Sequence, residues 1–77
     1  MNRPVKHSLT LSGHRTSVSL EDEFWQAFRE IARERGQAVN ALAAEIDRER
    51  GLEMGLASAI RLFVLKDLQR RLTGDST

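Results

Sequence analysis

The sequence predicts a mainly α protein with a short β-ribbon, and three features of the chain predict it. Residues Arg15-Thr16-Ser17-Val18-Ser19-Leu20 alternate, so Thr16, Val18 and Leu20 fall on one side of an extended strand and Arg15, Ser17 and Ser19 on the other. Beyond Leu20 the apolar residues recur at helical spacing. Glycines at Gly36, Gly51 and Gly55 break that helical text into separate stretches. One face of the strand can be buried and the other can hydrogen-bond, but so short a strand is not stable alone. Since the rest of the chain reads as helix, the same strand from a second copy is the natural partner.

Size points the same way. A chain of 77 residues buries only about 60% of the surface its unfolded form exposes, so association helps it. With 40% hydrophobic and 30% charged residues it is too balanced for a disordered chain. It has no cysteine, which excludes disulfides and thiolate metal sites and fits a reducing cytoplasm. Met1 to His7 lacks the apolar centre of a signal peptide, and no apolar run approaches bilayer length, so a cytoplasmic location and no membrane partner are expected. The net charge of +1 hides an asymmetry: Arg3, Lys6 and Arg15 stand in the first twenty residues with no acid among them.

In chain order, Pro4 discourages regular structure and residues 1–7 read as mobile. His7 to Leu11 places Leu9 and Leu11 at period two, and Ser12-Gly13 can turn that segment back against residues 14–20. The segment is therefore either a basic arm or an extra strand. The first helix is expected near Glu21, with Ser19 and Asp22 spaced as a capping box and Glu21, Asp22 and Glu23 at the positive end of the helix dipole. Phe24, Phe28, Ile31 and Ala32 form its apolar stripe with Trp25 on the flank, and Gly36 is the expected left-handed stop after Arg33 and Arg35.

A second helix follows a short connection, with Val39, Leu42, Ala43 and Ile46 at i, i+3, i+4 and i+7 and Asp47-Arg48-Glu49-Arg50-Gly51 closing it. A third runs to about Leu72. Its stripe is Leu56, Ala59, Ile60, Phe63, Val64 and Leu68, and Leu62 and Leu65 carry apolar character around the helix, as expected of one buried between subunits or against several neighbours. The chain thus divides into an arm or extra strand (1–13), a core (14–50), a third helix (51–72) and a frayed tail (73–77).

Few residues suggest chemistry. Phe24, Trp25, Phe28 and Phe63 follow the helix period and belong to the core rather than to a base-stacking platform. His7 and His14, with no cysteine and no carboxylate between them, do not make a metal site. Glu30, Glu34, Glu45, Asp47 and Glu49 lie beside Arg33, Arg48 and Arg50 in the pattern of a solvated, ion-paired surface. Ser58 lies in no nucleophile motif, and no glycine-rich phosphate loop exists. Neither enzymatic activity nor a cofactor is expected, and the Lys66 to Arg71 cluster reads as a favourable helix end.

Strand, helix, glycine linker and helix in this order resemble the ribbon-helix-helix (Arc-like) family of bacterial DNA-binding regulators. The resemblance rests on Arg15 to Leu20 running into an acidic helix start and on Gly36-Gln37-Ala38-Val39-Asn40. Read from Lys6-His7-Ser8 to Ser58-Ala59-Ile60-Arg61-Leu62-Phe63-Val64-Leu65, the chain is similar to a subgroup of small bacterial proteins of that kind. The resemblance implies an intertwined homodimer, with an additional C-terminal helix here, whose antiparallel ribbon enters the major groove of double-stranded DNA, roughly 12 Å wide. It implies base reading by Arg15, Ser17 and Ser19, and phosphate anchoring at Val39 and Asn40, where the second helix begins. Arg3 and Lys6 would add phosphate contacts from the basic end. An extra strand on each copy would widen the sheet to four strands, whose backbone alone spans roughly 14 Å and would not enter the groove flat.

Two functions follow. The first is a sequence-specific, DNA-binding transcriptional regulator acting as a homodimer. The alternative is a protein-interaction module, an antitoxin-like or adaptor subunit that holds a protein partner through its third helix or a covered ribbon.

Overall fold

The computed structural model describes residues 3–74. Two strands, β1 (Val5–Leu11) and β2 (His14–Leu20), are followed by three helices, α1 (Asp22–Glu34), α2 (Val39–Glu49) and α3 (Leu56–Thr73). The strands form one antiparallel hairpin in the register Val5↔Leu20, His7↔Val18, Leu9↔Thr16 and Leu11↔His14. Ser12 and Gly13 make its turn with φ of 52° and 84°. Positive φ at both central residues gives a turn that twists with the strands and fixes their pairing.

One sequence expectation changes here. Residues 5–7, read as mobile, are paired in β1. Within the chain β2 pairs with β1, the extra strand that the Ser12-Gly13 turn offered. Of the segment read as arm or strand, residues 5–11 are strand; residues 1 and 2 lie outside the described part.

The register decides which side chains meet the helices. Leu9, Leu11, Val18 and Leu20 are buried on one face of the hairpin. His7, on the same face, lays its ring flat on Trp25 of α1, with centroids 4.0 Å apart and 9° between planes. Its Nε2 is buried without a hydrogen-bond partner. Beneath, Phe28, Leu42, Ile60 and Val64 join Leu20 as the most deeply buried side chains, so strands and all three helices share one core. Phe28 meets the edge of Phe63 in a T-shaped contact, 6.2 Å between centroids, a favoured aromatic geometry.

Helix ends follow their sequence only in part. Glu21 is the N-cap of α1 and no side chain caps it; Ser19 stays in β2, so the expected capping box with Asp22 does not form. At the other end Gly36 adopts φ of 69°. Its N–H donates to the Arg33 carbonyl and that of Gln37 to the Ala32 carbonyl, the paired bonds of a Schellman stop.

On α3 one member of the expected stripe faces solvent. Leu68 is 48% exposed whereas Asp67 is only 6% exposed. Arg70 Nη2 donates to Asp67 Oδ1 at 2.6 Å and Arg71 Nε donates to Oδ2 at 2.8 Å, while Arg71 also pairs with Glu34 of α1. Burial pushes the Asp67 carboxyl up, but the two guanidinium groups outweigh it and hold its pKa below the ordinary aspartate value. A buried carboxylate thereby ties the ends of α1 and α3 together. Thr73 closes α3, and residues 75–77 of the expected frayed tail lie outside the described residues.

Candidate nucleic-acid interface

Pairing that buries one face of the hairpin turns the other to solvent. The outward pairs are Lys6↔Ser19, Ser8↔Ser17 and Thr10↔Arg15. All of these residues are exposed. The face has serines at its centre, a cation at each diagonal corner and no apolar side chain. A two-stranded ribbon about 4.8 Å between strand axes is narrow enough to lie in a groove roughly 12 Å wide.

Arg15, Ser17 and Ser19 therefore share one face, as their alternation required, and Lys6 joins them. Sequence reasoning missed Ser8 and Thr10. Leu9 and Leu11 at period two carried the signal, because the residues between them must point the other way once the Ser12-Gly13 turn sets the register. Arg3 is exposed just before β1. The histidines do not come together: His7 pairs with Val18 and stacks on Trp25, while His14 is exposed beside the turn.

Each edge of the ribbon is held by a side chain from a helix. At the β1 edge the Thr10 N–H donates to Asn40 Oδ1 at 3.1 Å. At the β2 edge Arg61 of α3 reaches the Ser19 carbonyl at 3.5 Å and donates from Nε to Glu21 Oε1 at 2.8 Å. A hydrogen bond from its own backbone, and then Arg61, hold the Glu21 carboxyl below its ordinary pKa. The first acid after the basic segment is thus already engaged by a cation.

The bond to Thr10 places the start of α2 at the ribbon edge. Ala38 is its N-cap and offers no side-chain cap. The first-turn N–H groups, including those of Val39 and Asn40, have no acceptor within the helix and stand at the positive end of its dipole. Val39 is half-buried and Asn40 exposed. An open cleft of about 400 Å³ adjoins this end, lined by Gln26, Arg29, Glu30, Arg33, Gln37 and Val39 among others. Arg33 is paired with Glu30, whereas Arg29 is in no ion pair among the described residues. Such an arrangement can hold an anion beside a polar ribbon.

No helix among the described residues is long and apolar enough to cross a membrane. The family model of the ribbon-helix-helix domain matches residues 4–68. No curated protein and no solved structure matches the chain. The match takes in both strands, α1, α2 and most of α3, and the chain belongs to the ribbon-helix-helix domain family.

Proposed function

We propose that this protein is a sequence-specific, DNA-binding transcriptional regulator of the bacterial cytoplasm, working as a homodimer with each hairpin in the major groove. The observation that carries this reading is the wholly polar outward face of the hairpin, whose opposite face buries Leu9, Leu11, Val18 and Leu20 against the helices. Arg15 reads a guanine edge, for which its forked guanidinium is suited, and Ser17 and Ser19 accept or donate to neighbouring bases. Ser8 and Thr10 extend the reading face onto β1. Lys6 and Arg3 meet phosphates, and the start of α2, Val39 and Asn40 with Arg29 beside them, anchors the backbone and sets register. Since one chain forms a complete two-stranded ribbon, a second copy need not widen the sheet; it brings a second ribbon to a second half-site.

The test is enrichment from labelled genomic fragments across a salt series, with Arg15→Ala/Ser17→Ala and Lys6→Ala/Thr10→Ala proteins alongside. A common short palindrome is expected for the wild type and is lost with the first pair of substitutions. Site preference unchanged by that pair would sink the assignment of the reading face. Binding that disappears with salt and ignores both variants would leave only phosphate contact.

The alternative, an adaptor or antitoxin-like subunit, is favoured by one observation, the leucines that α3 leaves in solvent. Ile60 and Val64 of that helix are core, so the probe is the surface variant Leu62→Ser/Leu65→Ser rather than removal of α3. A stoichiometric protein captured by the wild type and lost by the variant would support this second reading.

A further inference from the structure

The inner face of the hairpin is covered along only part of its length. On β2 its positions are His14, Thr16, Val18 and Leu20; the last two are buried, whereas His14 and Thr16 are exposed. Beneath the uncovered part lies a cavity of about 310 Å³, bounded by the hairpin tip, the end of α2 and the start of α3. Its lining is mixed. Leu11, Ala44 and Leu56 give it an apolar side, and Asp47, Arg48 and Arg50 a charged one.

The charges are not all engaged. Arg50 donates from Nε to Asp47 Oδ1 at 2.7 Å and from Nη1 to the Met54 carbonyl at 2.7 Å, so both members of that pair are held. Arg48 is in no ion pair among the described residues. The hydroxyls of Ser12 and Thr16 and the ring of His14 add hydrogen-bonding groups to the same lining.

We infer that this cavity is a binding site for a small organic monocarboxylate, with Arg48 on the carboxylate and the hydrocarbon body against Leu11, Ala44 and Leu56. A guanidinium fork meets a carboxylate with two parallel hydrogen bonds. The charge count chooses among anions: Asp47 and Arg50 cancel, and Arg48 balances one negative charge, so a phosphate dianion leaves a charge unbalanced beside Asp47. The apolar side favours a ligand with carbon to bury. The volume is at the low end for small-molecule sites, so the body is short.

Position gives the ligand its role. Bound there it touches the ribbon and two helices at once, and Ser17, a proposed reading residue, borders the same cavity. It therefore fixes the tip of the ribbon and acts as an effector of DNA binding. That consequence rests on the proposed function, whereas occupancy of the cavity is measured without DNA.

Amide NMR shifts of the isotope-labelled full chain, titrated with acetate, butyrate, hexanoate and benzoate, test the site. At least one acid should give saturable shifts centred on Ser12, His14, Thr16, Arg48 and Leu56, with a Kd on the order of 0.1–1 mM for so small a ligand. The primary amide of that acid, which lacks the charge, and inorganic phosphate, which lacks the carbon, should bind far more weakly. Arg48 is exposed, so Arg48→Gln keeps the fold and should weaken the acid about tenfold or more, as the loss of a hydrogen bond between charged groups requires; Arg48→Lys should restore part of it. Saturable shifts with none of the four acids, phosphate binding as tightly as the best acid, or an affinity indifferent to Arg48→Gln would overturn the site. So would shifts at these residues on raising protein concentration without acid, which would mean that a second copy fills the cavity. Fluorescence anisotropy on labelled DNA, with and without the best acid, reads the effector role. Affinity should change with acid in the wild type and not in Arg48→Gln; a wild type indifferent to bound acid would overturn that role. An acid that binds a protein unable to hold any DNA would count against the DNA reading alone.

Discussion

Asn40, the second residue of α2, accepts the backbone N–H of Thr10 at 3.1 Å, joining the start of a helix to a strand thirty positions earlier. The bond holds together the two parts of the candidate interface, the ribbon and the N–H groups at the head of α2. Asn40→Ala frees the Thr10 N–H where water reaches it, so stability should fall by only about 0.5–1.5 kcal/mol. DNA affinity should fall further than that loss explains, because ribbon and helix start lose their common register. Asn40→Asp retains the acceptor and should keep the fold while weakening DNA binding by charge. Urea unfolding and fluorescence anisotropy on one set of proteins separate these effects.

His7 provides a prediction of opposite sign. Its ring stacks on Trp25 while its buried Nε2 finds no partner. His7→Phe keeps a flat ring and removes the unpaired nitrogen, and should stabilise the fold by about 1 kcal/mol. A loss of stability by urea titration would show that the nitrogen is satisfied in solution.

Acid sensitivity should centre on the link between α1 and α3. The carboxyls of Asp67, Glu34 and Glu21 are all held below their ordinary values. A folded pKa below the unfolded one means that the stabilisation is complete above the unfolded values, about 3.9 for Asp and 4.3 for Glu, and is lost as pH falls through the folded ones. Stability should therefore be level near neutrality and decline below about pH 4. Asp67→Asn should cost about 1.5–3 kcal/mol at pH 7, the range for hydrogen bonds to a charged group, and should flatten the acid limb in thermal melts between pH 2 and 7.

The turn can be improved without touching the reading face. Ser12 holds φ of 52° with no glycine's freedom. Asparagine accepts that conformation more readily, so Ser12→Asn should raise stability by about 0.5–1 kcal/mol. Gly13→Ala should lower it, although no atom lies within 4 Å of the added Cβ, because the cost arises from φ of 84°. Thermal melts of the two variants should move in opposite directions.

What could be read in advance follows from how local each signal is. Alternation in Arg15 to Leu20 assigns both faces of β2, and the glycine at 36 marks the end of α1, since each is written within a few residues. The partner of β2 within the chain was legible in Leu9, Leu11 and Ser12-Gly13 only as one of two options, arm or strand, because the register of a turn decides between them. The inward place of Asp67 was illegible for another reason: hydropathy favours Leu68 there. Only Arg70 and Arg71, folded back onto the carboxylate, make it tolerable to bury. Ser8 and Thr10 were missed because a residue's membership of a shared face is decided by its partner across the strand.

The contact of His7 with Trp25 has a spectroscopic consequence. Trp25 is the chain's one tryptophan, and an imidazole lies flat against its indole. Its emission therefore reports whether the hairpin is seated on α1. When the ribbon lifts away, the indole loses its neighbour and gains water, and intensity and wavelength change together. The protein carries a built-in fluorescent gauge on the element proposed to enter DNA, readable in real time without a dye.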